Sequence, residues 1–105
     1  MTVYVDDMHR RATVGRITAT WSHLMADTTE ELNAFAKELG LNPAWIQDAG
    51  RPTEHYDVVQ AKRQQALALG AMPIQYREAG HLSLAKRRGA AFDVMAHRRE
   101  LRTPA

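Results

Sequence analysis

The spacing of apolar and polar positions changes along this chain, and each change marks an element. Residues 2–6, TVYVD, alternate and are β-branched or aromatic, which predicts a strand ending on Asp6 and Asp7. Residues 8–16 are polar, with Gly15 as a turn residue, and predict a loop. Residues 17–26, ITATWSHLMA, are a second extended segment of less regular pattern. In DTTEELNAFAKELG (27–40) the period becomes helical: Leu32, Phe35, Ala36 and Leu39 form one stripe. Asp27 and Thr28 each have a glutamate three residues on, the capping-box spacing, and Gly40 sits where a helix ends.

Further along, AWIQDA (44–49) predicts a short strand and GRPTEH (50–55) a loop. DVVQAKRQQALALG (57–70) reads as a second helix closed by glycine, and AMPIQY (71–76) as a strand whose Pro73 belongs at its start or on an edge. Residues 81–101 predict a third helix, weakened at Gly89. Strands alternating with helices predict a small α/β layer fold, with a largely parallel sheet of three to four short strands and about three helices. At 105 residues the chain is one domain, 1–105, with the helix at 81–101 as an extension.

Composition narrows the chemistry. The chain is 45% apolar and 25% charged, ordinary for a globular protein. It has no cysteine, which removes disulfides, thiolate metal sites and cysteine nucleophiles and suits the cytoplasm. No apolar run approaches the roughly 20 residues of a membrane helix, and MTVYVDD lacks the basic start of a signal peptide, so no membrane association is expected. The net charge of +2 is uneven: residues 1–76 carry seven Lys/Arg against nine Asp/Glu, residues 77–105 seven against three. The C-terminal excess is mainly arginine: Arg87, Arg88, Arg98, Arg99 and Arg102. A solvated helix face is the simpler reading; a surface for nucleic acid or an acidic partner is the other.

The layer fold gives the polar residues a shared address, since ligands of open α/β sheets bind outside the carboxyl ends of the strands. Asp6 and Asp7 end the first strand, His23 and Asp27 lie at or beyond the end of the second, and His55 and Asp57 follow the third. Asp6, His23 and His55 are therefore the candidate catalytic and metal-ligating set. Asp7, Trp21, Asp27, Tyr56 and Asp57 are expected to line the same pocket. Carboxylate and imidazole ligands together suit a divalent metal, which can activate water against a phosphate-containing substrate. Without metal, a histidine oriented by an aspartate serves as general acid or base.

Simpler roles stand beside these. Asp57, with Gln60 three residues on, fits a helix N-cap, and Asp27 fits one equally. Asp6 and Asp7 repel each other unless a cation such as Arg10, Arg11 or Arg16 answers them. Trp21 and Trp45 suit core or pocket walls, and His9, His81 and His97 form no suggestive group. The chain has no HExxH motif and no glycine-rich phosphate loop.

The words YVDD, TWSHLMAD, EELNAFAKELGL, EHYDV and LGA stand in the order and spacing of a small bacterial and phage family. Over roughly residues 2–80 the chain resembles domain-of-unknown-function family 4031. The resemblance implies no activity. It places Asp6, Trp21, His23, Asp27, His55 and Asp57 in recurrent words, as a shared pocket would. Family members often carry histidine where this chain has Asn33; a metal role for that histidine would leave an amide in its place here. Two functions stay open. One is a metal-assisted hydrolase or phosphate/nucleotide binder. The other is an interaction protein binding a host protein or nucleic acid through Arg87, Arg88, Arg98 and Arg99.

Overall fold

The computed structural model describes residues 2–102. Five strands and four α-helices run in the order β1 (Val3–Val5), β2 (Arg10–Val14), β3 (Ile17–Ala26), α1 (Thr29–Glu38), β4 (Tyr56–Val59), α2 (Gln60–Ala68), β5 (Met72–Pro73), α3 (Tyr76–Arg87) and α4 (Val94–Arg102). A 3₁₀ turn, Pro43–Trp45, lies between α1 and β4. The sheet is mixed, which corrects the largely parallel sheet expected. Central β3 runs antiparallel to β1, β2 and β4, and only β1 and β5 pair in parallel.

β3 is long enough to hold three partners. Leu24 pairs with both Val5 and Tyr56, and Trp21 with both Arg10 and Val59. A strand has two edges, so β1 and β2 share one edge of β3 and β4 takes the other. Between β1 and β2 the register slips: Asp6–His9 span what only Ser22 and His23 span opposite them. His9 turns the chain at φ 49°, in the left-handed region that histidine enters more readily than most residues. The segment 8–16 is thus mainly a strand, hidden by its arginines and Thr13. It returns into β3 through a two-residue turn with Gly15 at φ 63°, which a side chain would strain.

Alternation along β3 builds two cores. Leu24 and Ala26, with Val5 and Val58, pack against Leu32 and Ala36 of α1 and Ala66 of α2. Met25, with Tyr4, packs against Ala79 and Leu82 of α3 and Val94 of α4. The sheet is therefore covered on both faces. The helix expected over 81–101 is two helices, broken where Gly89 takes φ 69° after α3. Of the strand expected at 44–49 only Gln47 pairs, in an antiparallel bridge to His55, while Pro43–Trp45 is a 3₁₀ turn capped when the Asn42 side chain accepts from the Ala44 N–H. Among the described residues no helix is long and apolar enough to cross a membrane.

Candidate metal centre

The local fold of residues 53–63 decides the site. Asp57 does not cap α2: that helix begins after Val59 with no side-chain cap, and Asp57 lies in β4. On a strand, residues two apart share a face. His55 and Asp57 therefore point one way, and Tyr56 points the other, into the core, where its hydroxyl donates to Asn33 Oδ1 at 2.8 Å. Asp57 pairs with His23 across the sheet, and the Asp6 N–H bonds the His23 carbonyl at 3.0 Å from the other edge. Asp6, His23 and Asp57 thus form one row across three strands.

Within that row the aspartates differ. Asp6 is fully buried. Its Oδ1 accepts from the backbone N–H of His23 at 2.8 Å and of Met8 at 3.2 Å, replacing ladder bonds lost at the register slip. Its Oδ2 lies 2.7 Å from His23 Nδ1. A carboxylate only accepts, so this contact places a proton on Nδ1 and leaves Nε2 with a free lone pair in the neutral ring. Nδ1 of His55 lies 2.8 Å from the Thr53 carbonyl oxygen, which sets the same tautomer.

Both Nε2 atoms face Asp57 Oδ1, His55 at 3.4 Å and His23 at 3.8 Å. One ligand atom from each of His23, His55 and Asp57 lies within 4.8 Å of the other two. Ligands about 2.0–2.2 Å from a tetrahedral ion stand roughly 3.3–3.6 Å apart, close to the 3.4 and 3.8 Å between Asp57 Oδ1 and the two imidazoles. The three side chains are 16–20% exposed, within reach of solvent. Burial works to lower the His55 pKa, but the Asp57 hydrogen bond, the Thr53 carbonyl and the charges of Asp57 and Asp48 outweigh it and raise it. The His55 hydrogen bond holds the Asp57 carboxyl below its ordinary value; burial opposes this, while the charges of His55 and His23 and the Gln47 amide reinforce it.

The ring of His23 meets that of His55 edge-on at 4.8 Å and stacks on Tyr76 at 5.7 Å. A cavity of about 290 Å³ opens here between the sheet and α3, lined by His23, His55, Thr53, Tyr76, Arg77 and Ser83 among others. Tyr76 was not among the residues expected here. Its signal is weak, an aromatic closing the last strand expected from the sequence.

The other expected residues lie elsewhere. Asp57, not Asp6, is the carboxylate that faces both imidazoles; Asp6 stands behind His23. Asp7 accepts from the Tyr76 N–H at 2.7 Å, at the start of α3. Trp21 donates Nε1–H to the Ala12 carbonyl and lines a different groove. Asp27 is at the opposite end of the sheet, because β3 runs antiparallel to β1. It accepts from the Thr2 N–H and the Tyr4 hydroxyl, both at 2.9 Å. Burial, then Asp27, holds that phenol well above the usual tyrosine range. Asn33, bonded to Tyr56, is on the far face from the trio and does not replace a ligand of this site. Nor does Arg10, Arg11 or Arg16 answer the Asp6 carboxylate; His23 does, while Arg63 Nε donates to the Asp6 backbone carbonyl.

In the basic C-terminal segment, Arg87 and Arg88 are exposed at the end of α3. Arg98 is turned inward and grips Glu78 with two bonds of 2.8 and 2.7 Å. Arg98 is thus committed to a contact within the chain.

A family model described as "Protein of unknown function (DUF4031)" matches residues 3–88, through α3 and short of α4. No curated protein and no solved structure matches the chain.

Proposed function

The chain belongs to the DUF4031 family, whose matched span takes in His23, His55 and Asp57, and we propose that these side chains hold a divalent metal ion for hydrolysis of a small phosphate-containing substrate. One observation carries the reading. Three lone-pair atoms converge from two segments, β3 and the start of β4, and both rings are already turned by hydrogen bonds on their far nitrogens. Such outer partners are what metal-bound histidines ordinarily have. Three acceptors facing one another repel unless a cation lies among them, and either a proton on His55 or a metal ion supplies it.

Two imidazoles and one carboxylate suit zinc and other first-row divalent ions, and leave positions for water and substrate. The bound ion would lower the pKa of a water and polarise a phosphoryl oxygen. The protein's own part is positional. Asp6 fixes the His23 ring, Thr53 fixes His55, and Tyr76 covers one face of His23. Arg77 stands in the cavity wall, with Nε donating to Gln75 Oε1 at 2.9 Å. Its remaining guanidinium donors suit an anionic oxygen.

The test is metal content. After incubation with Zn²⁺ or Mn²⁺ and gel filtration, the chain is expected to retain about one ion, and His23→Ala and Asp57→Ala far less. A folded wild-type chain that keeps no divalent ion would sink the proposal.

A further inference from the structure

Beside the metal centre lies a groove that none of the roles above uses. It measures about 630 Å³ and is lined by Trp21, Trp45, Val14, Ile17, Val59 and Leu41, among others. Three of its apolar side chains are well exposed: Trp45 at 58%, Ile17 at 54% and Val14 at 39%. The volume lies within the roughly 300–1,000 Å³ of small-molecule sites. Trp45 rides on a capped 3₁₀ turn, so its indole is held out on a short constrained turn.

The groove is joined to the triad through one residue. Asp57 lines the groove and also presents Oδ1 to both imidazoles. Its Oδ2 accepts from Gln47 Nε2, and Gln47 is itself a groove residue. Arg16 and Lys62 add two cations to the groove lining. Apolar walls, an indole face and neighbouring cations suit a flat ring that carries an anionic group.

We infer that this groove is the subsite for the aromatic part of the substrate, a flat ring bearing a phosphate whose anionic end reaches the triad past Asp57. The inference rests on the metal-centre reading for the anionic end alone; the ring has its own residues. Aryl phosphates and nucleotides share this chemistry.

Trp21 and Trp45 are the chain's two tryptophans, and both line the groove, so intrinsic fluorescence reports its occupancy directly. The experiment titrates Zn²⁺-loaded protein with phenyl phosphate, adenosine 5′-monophosphate and inorganic phosphate, with calorimetry alongside. The expected result is a saturable fluorescence change with either aromatic ligand and none with inorganic phosphate. The stronger of the two aromatic ligands identifies the source. Trp45→Ala, an exposed position whose loss leaves the core intact, should weaken aromatic binding about tenfold or more while keeping the metal. Ile17→Ser should weaken it in the same direction and serves if Trp45→Ala misfolds.

His23→Ala separates the two claims. If it binds no metal but still shows the fluorescence change, the groove stands whatever the triad does. If wild type binds metal and inorganic phosphate yet shows no preference for aromatic ligands, the groove inference falls and the metal centre stands. A fluorescence change that follows protein concentration, with the chain eluting as a dimer, would also overturn it by making a second copy the occupant.

Discussion

Asp6 divides its work between its two oxygens, and that division can be tested by single substitutions. Oδ1 satisfies two backbone N–H groups at the register slip, and Oδ2 sets the His23 tautomer. Asp6→Ala leaves both N–H groups without their partner in a buried place, at a cost of about 1–3 kcal/mol in unfolding free energy. Asp6→Asn is the sharper probe. Its carbonyl keeps the backbone bonds, but its NH₂ group then faces His23 Nδ1, which must become the acceptor. The ring proton moves to Nε2, the atom offered to the metal. The expected outcome is a denaturation midpoint near wild type with metal affinity reduced about 10–100-fold. A folded Asp6→Asn chain with wild-type affinity, measured by calorimetry, would show that Asp6 is only a backbone plug.

Among the elements, α4 is held to α3 by one buried acid as well as by the packing of Val94 on Ala79 and Leu82. Glu78 is 3% exposed; it receives the Gln75 N–H at the start of α3 and both arms of Arg98 from α4. Removing Arg98 strands that carboxylate. Breaking a buried pair commonly costs 3–5 kcal/mol, and partial exposure of the arginine brings the expectation here to about 1–3 kcal/mol. Glu78→Gln combined with Arg98→Met should cost less than Arg98→Met alone, as read from urea denaturation. Equal stabilities for the single variant and wild type would remove this pair from what holds α4.

The elements also show what a sequence displays and what it conceals. Residues 17–26 match β3 in full despite their irregular pattern, and 27–40 contain α1, whose apolar stripe supplies the buried Leu32 and Ala36. β2 was concealed because nearly all of it is exposed, so it carries no apolar alternation to read. At 56–59 a short strand runs straight into α2, and the helical period of the latter masked the former. That boundary mattered most. With Asp57 on a helix, His55 and Asp57 have no fixed relation; on a strand they share a face. The direction of β3 had no local signal either. It separates Asp27 from Asp6, which parallel strands would bring to one end of the sheet.

For the whole molecule, the shifted groups define a pH range of greatest stability in the metal-free chain. Glu78 is held below its ordinary value of 4.5, first by its hydrogen bond from Arg98, with burial opposing. Asp57 is held below 3.8. Each lowered acid contributes stability that is complete above its ordinary value and is lost as pH falls through its folded value. His55 is raised above 6.5, so its contribution is complete below 6.5 and is lost as pH rises through the folded value. The midpoint for urea unfolding should therefore be highest between about 4.5 and 6.5 and decline on both sides. Metal reverses the upper limb. A proton on His55 and a metal ion compete for one nitrogen, so metal-loaded protein should hold or gain stability as pH rises through the histidine range. A metal-loaded profile that falls there with the metal-free one would place the ion elsewhere.

The slip between β1 and β2 has a consequence for how the chain can be lengthened or shortened over generations. It adds two residues on one strand, an even number, and so Asp6 and Arg10 stay in phase on the same side of the sheet. Insertions or losses of two residues between them preserve that parity. A single one sets the hairpin at odds with the row that holds His23, moving Val14 away from the groove or Asp6 away from its imidazole. Variation in segment length at Asp7–His9 should therefore be inherited in pairs, like a frame within the fold.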